Sequence, residues 1–137
     1  MWRFNYFEHT ADIGIRGYGE TFLEALEGVS RGMFKQICDC SEMSVSMEKQ
    51  VEVSGETNQD LVIRFLNKLI VLLETEQFVP LNYQLSQPNA NTIQAVLKGD
   101  ELDSSWHVVY AEVKAVTYHH FEIQHNGEWM IQVVVDV

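Results

Sequence analysis

The 137-residue chain carries 20 acidic and 9 basic residues, which gives a formal net charge of −11. Hydrophobic residues make up 46% and charged residues 21%, a balance that is typical of globular proteins and excludes extensive disorder. The length predicts one compact domain over residues 1–137. A surface this negative repels phosphate backbones, so we expect no stable direct binding to nucleic acid. It suits divalent cations and basic protein surfaces, although the charge could also serve solubility alone.

The cysteine content and the apolar segments indicate the cellular compartment in which the protein is expected. Cys38 and Cys40 are too few for a disulfide framework and too close in sequence for an easy bridge, and free thiols are typical of a reducing compartment. The N-terminus lacks the long apolar segment of a signal peptide. The apolar run at 61–73 is interrupted by Arg64 and Lys68, so it is too polar to span a bilayer. We expect a cytoplasmic protein without a membrane partner.

Two strands and a helix are predicted at the start of the chain. Apolar and polar residues alternate over 2–6, and 13–15 predicts a second short strand. Thr21 and Glu24 have the spacing of a capping box, in which each side chain satisfies a free amide at a helix start. The helix that follows should stop near Cys38. Its apolar face comprises Phe22, Leu26, Val29, Met33 and Ile37.

The middle of the chain predicts further strand segments over 45–53 and a second helix. The helix should begin near Thr57, with Asp60 in its first turn, and Pro80 sets its outer limit. Its core face comprises Leu61, Phe65, Leu69 and Leu72. Alternation then predicts a hairpin, with strands near 81–85 and 93–97, and residues 99–105 are expected to form a loop.

The C-terminal hairpin gives the clearest local prediction. Asn126 and Gly127 form a strong two-residue turn signal between strands at 121–125 and 128–136. The valine run at 133–135 is typical of a strand buried on both faces, and hence central. The order of elements predicts an α+β fold, with mostly antiparallel sheet and two main helices.

Three oxygen donors form a candidate metal site. Asp12 follows the first strand, Asp136 is the penultimate residue, and Val137 adds a terminal carboxylate. If the first and last strands come together, these groups meet at one end of the sheet. Such donors suit calcium or magnesium better than zinc. The alternative is that both aspartates are simply solvated.

Other polar residues could support that site. His9 lies near Asp12 and could act as a weak ligand or contact one, whereas adjacent histidines such as His119 and the residue after it should point to opposite faces of a strand. Lys114 and Tyr118 lie four residues apart in what could be a short helical turn with a role in proton transfer, or Lys114 could pair with a carboxylate. The sequence contains no phosphate-binding loop and no nucleophile elbow, so no residue is assigned as catalytic.

Several blocks resemble the archease family. The specific ones are residues 9–15 (HTADIGI) and 112–119 (EVKAVTYH). The others are residues 17–19, 24–26, 33–34, 69–76 and 129–137, so the resemblance extends over nearly the whole chain in the expected order.

The resemblance implies a function and a site. Archeases are small, acidic, non-catalytic partners of the RtcB-type RNA ligase, which joins 2′,3′-cyclic phosphate or 3′-phosphate ends to 5′-hydroxyl ends in tRNA splicing and RNA repair. They promote guanylylation of the ligase, allow multiple turnover and bind a divalent cation. The resemblance places that cation at Asp12, Asp136 and Val137, with calcium expected first and magnesium or manganese as alternatives. His9, Lys114 and His119 are then expected to lie around the ligands.

The sequence leaves two rival functions and the role of Trp106 open. A general protein chaperone would require exposed apolar surface, and a metal-dependent phosphoesterase would require a base beside an open coordination site. Trp106 could anchor a protein partner if it is exposed, or it could be part of the core.

Overall fold

The computed structural model describes residues 1–9 and 12–137, apart from the side chains of Glu8 and His9. These residues form two helices and seven strands, in chain order β1 (Arg3–His9), β2 (Asp12–Gly19), α1 (Phe22–Ile37), β3 (Met47–Ser54), α2 (Asn58–Glu76), β4 (Phe78–Asn89), β5 (Thr92–Glu101), β6 (Ala115–Asn126) and β7 (Glu128–Asp136). They divide into two compact units, residues 1–37 with 111–137 and residues 38–110. Each unit combines one helix with one antiparallel sheet, which confirms the α+β prediction with two main helices. The single domain over 1–137 stays a prediction.

The first unit contains a four-stranded antiparallel sheet in the order β1-β2-β7-β6. β7 is interior and its residues 131–135 are all buried, which confirms the prediction of a central strand. The first and last strands are not neighbours, because β2 lies between β1 and β7. The last strand, β7, therefore pairs with β2 and not with β1.

A capping box starts α1 as predicted. The Thr21 hydroxyl accepts the amide N–H of Glu24 at 3.1 Å. The Glu24 carboxylate accepts the amide N–H of Glu20 at 2.8 Å, and this hydrogen bond holds the pKa of Glu24 below its usual range. The helix ends at Ile37, at the expected place.

Glycine allows α1 to lie directly on the sheet. A Cβ atom at Gly17 of β2 would overlap the main-chain oxygen of Ala25 and the side chain of Val29. The odd-numbered positions of β2 therefore face the helix, because side chains alternate along a strand. The even-numbered positions, Asp12 among them, belong to the other face.

The second unit packs α2 on a sheet in the order β3-β5-β4. Thr57 caps α2 by accepting the amide N–H of Asp60 at 3.1 Å, as predicted. The helix stops at Gln77, whose left-handed backbone (φ 54°) lets its N–H bond back to the last turn. Among the described residues, no helix is long and apolar enough to cross a membrane.

Pro80 was expected to set the outer limit of α2, and the helix ends before it, at Glu76. Pro80 itself lies inside β4, at a register shift against β5. The prediction of a loop over 99–105 was wrong for residues 99–101, which belong to β5. Gly99 pairs there with both Met47 and Pro80. A Cβ atom at Gly99 would overlap the main chain of Val79, so the residue taken for a loop glycine is a point of close strand contact.

The two cysteines are free thiols, with their sulfur atoms 3.4 Å apart. Cys38 is buried, and its hydrogen bond with Cys40 and its burial raise the pKa of its thiol. A raised pKa makes the thiol of Cys38 less reactive than that of an ordinary exposed cysteine.

Candidate functional site

Residues from four strands line up at one end of the first sheet. His9 of β1 pairs with Asp12, and Ala115 of β6 pairs with Asp136. The register of β2 with β7, continued by one pair, places Asp12 opposite Asp136. The two predicted metal ligands that lie 124 positions apart in sequence (136 − 12) are thus brought to neighbouring strand ends.

The geometry of paired strands places the two carboxylates close together. Residues directly opposite each other in antiparallel strands have Cα atoms about 4.5–5.5 Å apart and point to the same face. For Asp12 and Asp136 this is the face away from α1. Asp136 is exposed and Asp12 is half-buried, and Val137 follows Asp136 with 36% of its surface exposed.

Lys114 contacts this site through its main chain. Its amide N–H donates to the carbonyl oxygen of Asp136 at 2.7 Å, while the residue itself is exposed. Lys114 and Tyr118 do not share a helical turn, which was one of the two possibilities, because β6 begins at Ala115 and Tyr118 lies within that strand. The hydrogen bond instead extends the pairing of β6 with β7 by one step and holds the end of β7.

A bulge in β6 lies beside the site. Pairing of β6 with β7 shifts between Thr117 and Glu122, and His120 adopts a left-handed backbone with φ 50°. The prediction that adjacent histidines point to opposite faces was wrong, since the rings of His119 and His120 are 4.2 Å apart between centroids. The Thr117 hydroxyl supports the bulge by accepting the amide N–H of His119 at 3.3 Å. His119 therefore lies in the bulge that follows Thr117, and Thr117 is two residues beyond Ala115, which pairs with Asp136.

A polar and aromatic network on the same face was not anticipated. The Phe7 ring covers Gly14, where a Cβ atom would overlap it. The guanidinium of Arg16 lies 4.4 Å above the Phe7 ring centroid, and its Nε donates to Gln132 Oε1 at 2.9 Å. Gln132 Nε2 in turn donates to the carbonyl oxygen of His120 at 2.8 Å. The network joins β1, β2 and β7 to the bulge.

The sequence carried a signal for these residues. Asp12, Gly14 and Arg16 occupy alternate positions of one strand, so they share a face. The alternation of side chains along a strand at 12–16 would have predicted that Gly14 and Arg16 lie on the same face as Asp12. Gln132 has no comparable signal, because it stands inside a run of buried apolar residues.

The donor set fits a hard cation. Carboxylate oxygens from Asp12, Asp136 and the terminus of Val137 are the ligand type that calcium and magnesium prefer. Among the described residues, no group of three or more His, Cys, Asp or Glu side chains is placed to hold a metal ion. The predicted site combines two aspartates with a main-chain carboxylate, and it stays a prediction. The side chain of His9 lies outside the described part of the chain, so its expected role beside the ligands stays a prediction as well.

Comparison with known sequences gives full-length matches. Residues 4–137 match the model of the Archease protein family (MTH1598/TM1083). The chain is 36% identical to Protein archease of Pyrococcus abyssi and 37% identical to Protein archease of Thermococcus gammatolerans. Each alignment covers 100% of both chains.

Comparison with solved structures supports the same assignment. The solution structure of Methanobacterium thermoautotrophicum protein 1598 matches with a TM-score of 0.82 and 28% identity, over 98% of each chain. A Thermotoga maritima crystal structure, described as "an archease, possible chaperone", shares the fold with a TM-score of 0.66 at 22% identity, over 96% of this chain and 94% of that one. Because the family model and the curated relatives extend over essentially all of the sequence, the chain belongs to the archease family.

Proposed function

We propose that this protein is a non-catalytic activator of an RtcB-type RNA ligase that acts in tRNA splicing or RNA repair. Membership of the archease family supports the proposal, because the sequence resemblance implies that role. The net charge of −11 supports it as well, since an enzyme that binds RNA presents basic surface to which an acidic protein is attracted. The setting we propose is the cytoplasm, where thiols such as Cys38 and Cys40 stay reduced.

The activating part of the molecule is the strand end that carries Asp12, Asp136 and Val137. The observation that supports this assignment is the register of β2 with β7, in which Ile13 pairs with Val135, so the next residues in each strand are Asp12 and Asp136. We assign these residues as ligands of a divalent cation, calcium first and magnesium or manganese as alternatives. A cation held there would neutralise negative charge on a nucleoside triphosphate during guanylylation of the ligase.

The residues around the ligands have a positioning role. The Lys114 amide donates to the main-chain carbonyl oxygen of Asp136 and so holds the end of β7 beside β6. The Arg16 and Gln132 side chains connect β2 and β7 to the bulge that carries His119. Fixed ligands lose little conformational freedom when they bind, so the network favours binding at this strand end.

A guanylylation assay tests the proposal. A cognate RtcB-type ligase is incubated with GTP and manganese, and covalent guanylate on the ligase is measured with and without this protein. Asp12→Asn and Asp136→Asn keep the side-chain shape and remove one carboxylate each. Glu56→Gln is the matched control, because it removes one exposed carboxylate in the other unit.

The expected result is stimulation by the wild type and by Glu56→Gln, with loss of stimulation in both aspartate variants. No stimulation by the wild type would overturn the proposal. Two further assays distinguish the rival functions. Suppression of the aggregation of an unrelated protein would indicate a chaperone. Turnover of a phosphate ester without ligase, lost in Asp12→Asn, indicates a phosphoesterase.

A further inference from the structure

Exposed apolar side chains are concentrated in one short segment of the second unit. Trp106, Val108, Val109 and Tyr110 are 58%, 54%, 46% and 62% exposed. They account for four of the ten large apolar residues that are exposed among the described residues. We call these four residues the 106–110 patch. Exposed apolar side chains that are concentrated in one short segment are typical of a protein interaction site.

The main chain beneath the patch is held in place. The amide N–H groups of Trp106 and His107 donate to the carbonyl oxygen of Asp103 at 3.1 and 2.8 Å. The amide N–H of Asp103 donates to Nδ1 of the buried His107 at 2.8 Å, which closes the turn from the other side. Val108 accepts the amide N–H of Asp39 at 3.0 Å, and Val109 bridges to Cys38. The patch is therefore presented by an ordered backbone.

Trp106 has a fixed orientation as well. Its ring lies against the ring of His107, with 3.7 Å between centroids. His107 is 7% exposed and belongs to the buried part of the unit, so it is a firm support for the indole. A large aromatic side chain that is exposed and already oriented loses little freedom on binding, which is the profile of an interface anchor.

The surroundings of the patch carry charge of one sign. Residues 99–110 contain Asp100, Glu101 and Asp103 and no lysine or arginine. Asp39, whose amide N–H donates to the carbonyl oxygen of Val108, adds a further acidic residue beside the patch. An apolar centre with an acidic rim complements a partner whose apolar surface is bordered by lysine and arginine, and it repels nucleic acid.

We propose that the 106–110 patch is the docking surface for a protein partner of that chemistry, with Trp106 as its anchor. The inference rests on the proposed function for the choice of partner, namely the RNA ligase, whose RNA-binding surface must be rich in lysine and arginine. The patch supplies binding, whereas the strand end with Asp12 and Asp136 supplies activation. These two roles can be separated by experiment.

The experiment titrates the ligase with wild-type protein and variants, and measures both binding and guanylylation. Trp106→Ala and Tyr110→Ala remove the aromatic anchors, and Trp106→Phe keeps an aromatic ring. Val108→Ser is compared with Val71→Ser, which alters a valine of similar exposure (46%) on α2. Circular dichroism establishes that each variant is folded.

The expected result for Trp106→Ala is a dissociation constant raised about 30-fold or more, as for an interface hot spot. The protein concentration that gives half-maximal stimulation should rise by the same factor, while the maximal stimulation is unchanged. Asp136→Asn should show the converse, with normal binding and no stimulation. Val71→Ser should stay close to the wild type, Trp106→Phe should bind with an affinity between those of the wild type and Trp106→Ala, and added salt should weaken wild-type binding.

Three outcomes would overturn the inference. Wild-type binding and stimulation that survive in Trp106→Ala, Tyr110→Ala and Val108→Ser would show that docking occurs elsewhere, and would leave the proposed function standing. A ligase that neither binds nor responds to the wild type would remove the proposed function and the inference together. Dimerisation of the wild type in sedimentation velocity, lost in Trp106→Ala, would assign the patch to a second copy of the chain.

Discussion

Arg16 and Gln132 lie opposite each other on β2 and β7 and are joined by a hydrogen bond of 2.9 Å from Nε to Oε1. Gln132 is only 7% exposed, and its amide nitrogen donates to the carbonyl oxygen of His120 at 2.8 Å. One buried side chain therefore connects the two strands that carry Asp12 and Asp136 with the bulge that carries His119.

Replacing Gln132 should loosen the bulge. Gln132→Leu keeps the approximate volume but leaves the His120 carbonyl and the Arg16 Nε without this partner. The expected loss in the free energy of unfolding is about 0.5–1.5 kcal/mol, the net contribution of a hydrogen bond, because Arg16 is half-buried and His120 is exposed. Urea unfolding measures the loss. In NMR spectra of Gln132→Leu, the ring signals of His119 and His120 should both change.

Gln124→Leu is the matched control for this prediction. Gln124 lies on the same face, in β6, but is exposed. Its replacement should change the free energy of unfolding by less than about 0.5 kcal/mol. Equal effects of the two substitutions would contradict the bridging role of Gln132.

Adding one methyl group at Gly14 should displace the Phe7 ring. The Cβ atom of Gly14→Ala would overlap that ring, and Arg16 would lose the aromatic face on which it lies. Overpacking of this kind costs about 1–3 kcal/mol in the free energy of unfolding. The measurement is urea unfolding of Gly14→Ala, Phe7→Leu and the double variant.

The double variant tests whether the overlap between the Gly14→Ala methyl group and the Phe7 ring causes the loss of stability. Leucine is smaller than phenylalanine at position 7, so the two losses should be less than additive. Strictly additive losses would mean that the two residues act independently. The strain at Gly14 would then have to come from another contact.

Local patterns in the sequence predicted the helices, the turn at Gly127 and the central position of β7. Thr21 with Glu24 and Thr57 with Asp60 form their hydrogen bonds within three residues, so neighbouring sequence determines them. The pairing of β2 with β7 joins residues more than 100 positions apart, and local patterns carry no information about such a register. The bulge at His119 and His120 was missed because a left-handed φ at a histidine has no sequence signature comparable to glycine.

The stability of the second unit should depend on pH through Asp100. Its carboxylate accepts hydrogen bonds from the Ser46 hydroxyl at 2.6 Å and the Ser44 amide at 3.0 Å, and these hold the pKa of Asp100 below its usual range. A lowered folded-state pKa stabilises the protein above the unfolded-state pKa, and that stabilisation is lost as the pH falls through the folded-state value.

The test compares the wild type with Asp100→Asn and Ser46→Ala in thermal unfolding at about pH 7 and about pH 3. Both variants should be less stable than the wild type at the higher pH, and the difference should shrink at the lower pH. Glu101→Gln, at the exposed neighbouring residue, should follow the wild type at both values. A difference that grows on acidification would contradict the assignment.

Extending the chain beyond Val137 should weaken binding of the cation. An added peptide converts the terminal carboxylate into an amide, so one anionic oxygen donor is lost. Calcium affinity measured by calorimetry should fall by about 10-fold or more, the scale seen when the surroundings of a metal ligand are altered. The same peptide placed before Met1, which is 90% exposed, is the control. Unchanged affinity in the C-terminally extended protein would restrict Val137 to a packing role.

The most direct measurement is the rate of ligase guanylylation at saturating concentrations of the wild type, Asp136→Asn and Glu56→Gln, with binding to the ligase measured on the same samples. The account predicts that Asp136→Asn binds as well as the wild type and gives no stimulation, while Glu56→Gln behaves as the wild type in both respects. Full stimulation by Asp136→Asn at saturation would contradict the claim that the paired strand ends of β2 and β7 activate the ligase.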